Sequence, residues 1–174
     1  GHSPLRPRDE YIAQVTDQKF TDKRKVWLSL CPAPKLTPAD IKELHVLYLA
    51  IMRYLDDQVK VVFEKLQSLG LSENTIVIIT SDHGYEFGEH GGCGLKAKLF
   101  DECVHVPLFI VNSKRDGKGE QIKSPVGLVD LPPTILGLAG IPAPKLYRGK
   151  NVLDKAVQEK RKGIFLECGY NKIN

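Results

Sequence analysis

The sequence predicts an α/β fold with a largely parallel sheet, and three observations carry that expectation. A single apolar stripe runs at steps of three and four from Ile41 to Leu66, the period of a long amphipathic helix. A short β-branched run, Thr75 to Ile79, stops at once in Ser81-Asp82-His83-Gly84, as a buried strand does when it enters a polar loop. A second apolar run, Val106 to Val111, follows that loop. Strands alternating with helices favour a parallel sheet flanked by helices. In open sheets of this kind ligands gather at the carboxyl ends of the strands.

Each element has its own local signal. Residues 1–36 are polar and without clear periodicity, with only Val26-Trp27-Leu28 as an apolar anchor, so they are expected to be a loop or a peripheral, poorly ordered segment. Residues 37–174 are expected to carry the folded part. Thr37 can cap the long helix, Pro38 suits its first turn, and Asp40 sits three residues on. The stripe Ile41, Leu44, Tyr48, Met52, Leu55, Val59, Phe63, Leu66 continues to Gly70. At ~1.5 Å per residue this gives a helix roughly 45–50 Å long. Asp56 lies beside the stripe and is read as a local hydrogen-bonding acid. Leu71-Ser72-Glu73-Asn74 turns into a strand over 75–80. A short helix is expected over 97–103, a strand over 106–111 and a surface turn over 112–120. Asp130 can cap a second helix whose first turn tolerates Pro132 and Pro133 and which Gly140 ends, and Ile164 to Glu167 reads as a third strand. No internal repeat is visible.

Composition narrows the function classes. The 25 Lys and Arg against 21 Asp and Glu leave a net charge of +4, too mild and too dispersed for a dedicated nucleic-acid module. The two basic clusters, Lys23-Arg24-Lys25 and Lys160-Arg161-Lys162, read as solvated surface. No run approaches the ~18 apolar residues of a membrane span. Four cysteines (Cys31, Cys93, Cys103, Cys168) show no zinc-site spacing and are too sparse for a disulfide scaffold. The compartment stays open.

The loop from Thr80 onward holds the chemistry. A carboxylate oxygen beside an imidazole can ligate Ca²⁺, Mg²⁺, Mn²⁺ or Zn²⁺, which makes Asp82 and His83 candidate metal ligands. The alternatives are a turn-capping aspartate and an exposed loop histidine. Downstream stand Gly88-Glu89-His90-Gly91, Lys96, and His105 before Val106-Pro107-Leu108.

In that order and spacing, these four elements resemble the second metal-and-substrate loop of the sulfatases, in the alkaline phosphatase superfamily. Five residues separate His90 from Lys96, one more than the family pattern, while Lys96 to Phe100 keeps the family spacing. One inserted residue near Gly92-Cys93-Gly94 reconciles the two, and Lys98 is the weaker candidate for the same role. Tyr48 to Val59 is similar to the family's preceding helix, and Gly127 to Pro142 to its Val-Asp-Leu-x-Pro-Thr segment, so the resemblance covers roughly residues 38 to 153.

The resemblance implies the C-terminal part of an alkaline-phosphatase-like catalytic domain. It implies hydrolysis of a sulfate ester on a small molecule or sulfated glycan, with no nucleic acid and no membrane span. Asp82 and His83 would hold a divalent cation, Ca²⁺ by family expectation and Mg²⁺ as the rival. Lys96 would clamp the sulfate, and His90 would position the ester oxygen or protonate the leaving group. His105 would add a substrate contact where many relatives carry arginine. Glu86 and Glu89 are expected to be exposed and open to substrate. The family nucleophile, a formylglycine matured from a Cys/Ser-x-Pro-x-Arg motif, is expected only in a longer N-terminal part. Cys31-Pro32-Ala33-Pro34-Lys35 is a near miss and reads as a Pro-rich loop. The chain alone is expected to be inactive, with self-association through exposed surface. Two rivals stand beside this reading: a phosphodiesterase, phosphonate hydrolase or phosphomutase of the same superfamily, and a non-catalytic fragment.

Overall fold

Charge pairing, rather than apolar periodicity, organises residues 5–29. The computed structural model describes residues 5–29, 36–91, 93–94, 98–114 and 119–167. Two short helices, α1 (Asp9–Ile12) and α2 (Asp22–Ser29), pack on the long α3 (Pro38–Ser68). Lys25 is buried, with its ammonium 2.6 Å from Asp9 Oδ1 and 3.6 Å from Asp22 Oδ1. Arg24 Nε donates to Glu43 Oε2 at 2.6 Å, and its Nη2 pairs with Asp40. These contacts hold Leu5, Ile12 and Leu28 in the core against Leu44, Leu47 and Ala50. Of the cluster expected on the surface, Lys25 is thus interior, because two carboxylates offset its desolvation. The apolar anchor expected at Val26-Trp27-Leu28 is realised at fully buried Leu28.

Thr37 opens α3 with a reciprocal capping box. Its hydroxyl accepts from Asp40 N at 3.2 Å, and its own N–H donates to Asp40 Oδ2 at 2.7 Å. The Thr37 hydroxyl and N–H, with Arg24, hold the Asp40 carboxyl at a pKa of about 2. Only the first half of α3 is covered: Leu44, Leu47 and Ala50 are buried, while Leu55, Val61 and Val62 are exposed. Asp56 bonds Arg53 at 2.9 Å on the surface, the local role its sequence position suggests.

After a 3₁₀ turn at Ser72–Asn74 comes β1 (Val77–Thr80). The two-residue strands β2 (Glu86–Phe87) and β3 (Cys93–Gly94) pair with each other, then follow a single helical turn, α4 (Asp101–Val104), and β4 (Leu108–Val111). Strand β1 pairs with β4 antiparallel, in the register Val77 with Val111 through Thr80 with Leu108. The largely parallel sheet expected from sequence is therefore not what pairs here. A parallel crossover needs a helix long enough to return the chain, and the four residues of α4 cannot supply one. Helix α4 also begins later than the 97–103 expectation, because the chain at Phe100 is still extended.

Residues 119–167 form a second unit. A 3₁₀ turn, Leu128–Asp130, leads into α5 (Leu131–Leu138), which starts on Pro132 and Pro133 and closes at Gly140, where Ile141 N bonds Leu136 O at 2.8 Å. Asp130 is fully buried, accepting from Gly127 N at 2.9 Å, Lys150 N at 2.7 Å and Arg161 Nη2 at 3.1 Å. Arg161 Nη1 pairs with its other oxygen. Arg161 is thus a structural cation rather than a solvated one. The short α6 (Lys155–Lys160) is capped by Asp154, which accepts from Ala156 N at 2.9 Å. Ile164 to Glu167, expected as a strand, is irregular: no neighbouring strand pairs with it among the described residues, and Phe165 is 87% exposed. Nor, among those residues, is any helix long and apolar enough to cross a membrane.

Candidate functional site

The loop that follows β1 is anchored on both sides. Tyr85 and Phe87 are buried and pack on α3, with ring centroids 4.9 Å apart for Phe87 and Tyr48 and 4.5 Å for Phe87 and His45. On the other side, Gly84 N bonds Cys103 O and Tyr85 N bonds Glu102 O, both at 2.8 Å. A Cβ at position 84 would sit 1.9 Å from Glu102 O, so only glycine lets the loop lie against α4. Gly88 (φ 105°) and Gly91 (φ 70°) take left-handed conformations that turn the chain toward His90.

Between these anchors stand Asp82 and His83. The Asp82 carboxylate is 78% exposed, and its Oδ1 accepts from His83 N at 3.1 Å. His83 Nδ1 lies 2.9 Å from Gly84 O, an acceptor only, so Nδ1 carries the proton. In the neutral ring Nε2 then bears the lone pair, 3.6 Å from Asp82 Oδ2. A carboxylate oxygen and an imidazole lone pair that close together favour a cation between them. A backbone carbonyl orienting the second ring nitrogen is also how metal-ligating histidines are commonly held. The pair therefore fits part of a divalent-cation site. It is only part of one: among the described residues no group of three or more His, Cys, Asp or Glu is placed to hold a metal.

The second cluster surrounds His90. Its Nε2 is 3.0 Å from Glu102 Oε2, and its ring stacks on Phe100 at 3.6 Å with an interplanar angle of 17°. The Glu102 carboxyl is held below the usual range by its own backbone N–H and then by His90. Glu86, expected at the surface, is fully buried, accepting from Lys98 Nζ at 2.7 Å and His90 N at 3.2 Å. The alternation Tyr85-Glu86-Phe87 carries no sign of this, since a carboxylate between two core aromatics normally faces water. Its burial follows from the lysine that pairs with it. The Lys98 ammonium is thereby committed to Glu86. Glu89 turns back to accept from Phe87 N at 2.6 Å.

Lys96, the expected sulfate clamp, lies outside the described residues. So do Cys31, Cys168 and the Cys93 side chain. His105 is exposed at the end of α4, its N–H bonded to Asp101 O at 2.8 Å. Cys103 is buried, and burial pushes its thiol pKa up, which marks it as inert packing. The structure thus sets Asp82 beside His83 and His90 beside Glu102. Sequence reading missed Glu102 and Phe100 as partners of His90.

Against known proteins, the sulfatase family model matches residues 1–141. The chain belongs to the sulfatase family. It is 35% identical over 185 residues to the uncharacterized sulfatase YidJ of Escherichia coli K12, covering 99% of this chain and 36% of that one. It is 37% identical over 119 residues to arylsulfatase K of Bos taurus, covering 68% and 22%. Among solved structures, the phosphonate monoester hydrolase SpPMH of Silicibacter pomeroyi matches with a TM-score of 0.61 at 30% identity, over 67% of this chain and 23% of that one. A protein solved with its substrate D-glucosamine-2-N,6-O-disulfate matches at 0.54 and 25%, over 92% and 29%. This sulfatase chain spans about a third or less of the length of these relatives. Its fold class is theirs, alkaline-phosphatase-like.

Proposed function

We propose that this chain is the metal-and-substrate portion of a sulfate-ester hydrolase. The observation that supports it most is the paired acid and imidazole at the end of β1, with His83 held by Gly84 O so that Nε2 is set beside the Asp82 carboxylate. Asp82 and His83 would hold part of the shell of the divalent cation, Ca²⁺ before Mg²⁺ where carboxylates from a longer polypeptide complete it. Bound there, the cation would polarise the sulfate oxygens. Lys96 would set an ammonium against those oxygens, His90 would meet the ester oxygen, and His105 would line the approach. The substrate would be a sulfate-ester small molecule or a sulfated glycan, a reading supported by the relative solved with a disulfated glucosamine. In a longer polypeptide, β1 and β4 would join a mostly parallel sheet, and a formylglycine would serve as nucleophile.

The likeness to a phosphonate monoester hydrolase favours a second reading, in which the same loop serves a phosphonate ester. Calorimetry with Ca²⁺, Mg²⁺, Mn²⁺ and Zn²⁺ on this chain tests the cation site. Binding to the wild type that is lost in Asp82→Ala is the expected result. Hydrolysis is tested on the polypeptide extended to the relatives' length, with an aryl sulfate against an aryl phosphonate monoester. Preference for the phosphonate would hand the site to the second reading. Cleavage of neither would leave a non-catalytic protein.

A further inference from the structure

Nothing above assigns a role to Glu102, yet its carboxylate accepts a hydrogen bond from the His90 ring. We propose that Glu102 is a positioning residue. Its carboxylate holds the His90 ring as the Nε2–H tautomer and leaves Nδ1 as the ring nitrogen that exchanges a proton with a ligand. The proposal deepens the sulfate-ester reading and rests on it for the identity of that ligand.

The argument starts from what each group can do. An ionised carboxylate only accepts hydrogen bonds, so at 3.0 Å the proton of the pair must sit on Nε2. Phe100 lies against the ring's face at 3.6 Å and nearly parallel, which sets the plane of the ring, and the Glu102 contact selects the edge it presents. The main chain is held too: His90 N donates to buried Glu86 Oε1 at 3.2 Å. Glu102 is fixed in turn, since its carbonyl accepts from Tyr85 N at 2.8 Å, where glycine at 84 permits the approach. Lys98, the nearby cation, is paired with Glu86 at 2.7 Å. His90 and Glu102 remain 37% and 32% exposed, so the pair is reachable. When Nδ1 takes up a proton, the charged ring keeps a carboxylate oxygen at the opposite nitrogen, the same division of labour by which an acid orients a catalytic histidine.

The arrangement makes the two loop histidines opposite in tautomer. His83 protonates Nδ1 against Gly84 O, while His90 protonates Nε2 against Glu102. Both can be read on one sample without substrate. In ¹⁵N-histidine-labelled chain at about pH 8.5, above the ordinary imidazole range, long-range ¹H–¹⁵N correlation should show His90 as Nε2–H with a resolved one-bond cross-peak. His90→Gln assigns the signal. Glu102→Ala should lose that cross-peak to solvent exchange. Glu102→Gln, whose carbonyl accepts the same bond, should restore it. A role confined to holding the loop would leave the cross-peak unchanged in Glu102→Ala while the amide spectrum stays folded. That result overturns the proposal, as does Nδ1–H at His90 in the native chain, which needs no variant. Because no turnover is read, the outcome is separate from that of the hydrolysis assay.

Discussion

Asp82 and Asp130 are both aspartates at the entrance to a turn, and the molecule treats them in opposite ways. Asp130 is fully buried, and both its oxygens are filled by Arg161 and by the N–H groups of Gly127 and Lys150. Burial pushes its pKa up, but Arg161 and the two N–H groups outweigh that and leave it below the usual range. Asp82 is 78% exposed, and its Oδ1 accepts from the N–H of the residue next to it. A carboxylate whose every lone pair is met inside the protein has its energy committed to the fold. One left at the surface beside an imidazole has capacity for something brought from outside.

The contrast breaks most readily at Asp130. Asp130→Asn keeps the shape but strands Arg161 and turns an amide against the Gly127 N–H, and loss of one partner of such a pair should cost about 3 kcal/mol. Urea denaturation reads this, and a cost below that of Asp82→Ala would dissolve the distinction. Next comes Gly84→Ala, where the new Cβ meets backbone that cannot yield. Overpacking of that kind should cost about 2 kcal/mol, and cation binding should fall with it, since the same contact sets the Asp82–His83 loop.

Asp82→Ala itself should weaken cation binding at least tenfold, about 1.4 kcal/mol, while stability stays within about 0.5 kcal/mol. Calorimetry paired with thermal melting separates the two effects. Acid sharpens the picture further. Asp40 titrates at about 2 in the fold against an ordinary 3.8, so its ionised form favours folding. That contribution is whole above about pH 4 and fades as the pH falls toward 2. Thr37→Ala should flatten that limb in acid denaturation followed by circular dichroism. The smallest effect is expected at Asp56, whose exposed pair with Arg53 should change stability by under about 0.5 kcal/mol when cut to alanine.

What could be read in advance followed the same division. The long helix, its Thr37 cap and the strand ending at Thr80 were legible because each is a local pattern of periodicity or capping. The sheet direction was not, since pairing depends on what lies beside a strand rather than within it. The packing of the early segment was not legible, because it rests on Lys25 and Arg24 meeting acids 16 to 19 positions away. In the site, Asp82, His83 and His90 stood out by residue type and spacing. Glu102 did not, because its partnership with His90 spans 12 residues and arises only when Gly84 lets α4 close on the loop.

The wedging of Tyr85 and Phe87 into the α3 core has a kinetic consequence. Amide protons exchange with solvent only through motions that free them, and groups tied to the core exchange at the rate of global opening. The Tyr85 N–H, bonded to Glu102 O beside a buried ring, belongs to that slow class. Asp82 and His83 are thus only two or three positions from backbone that should exchange slowly. Their side chains can sample solvent on fast timescales while the peptide beneath them stays put until the whole unit unfolds.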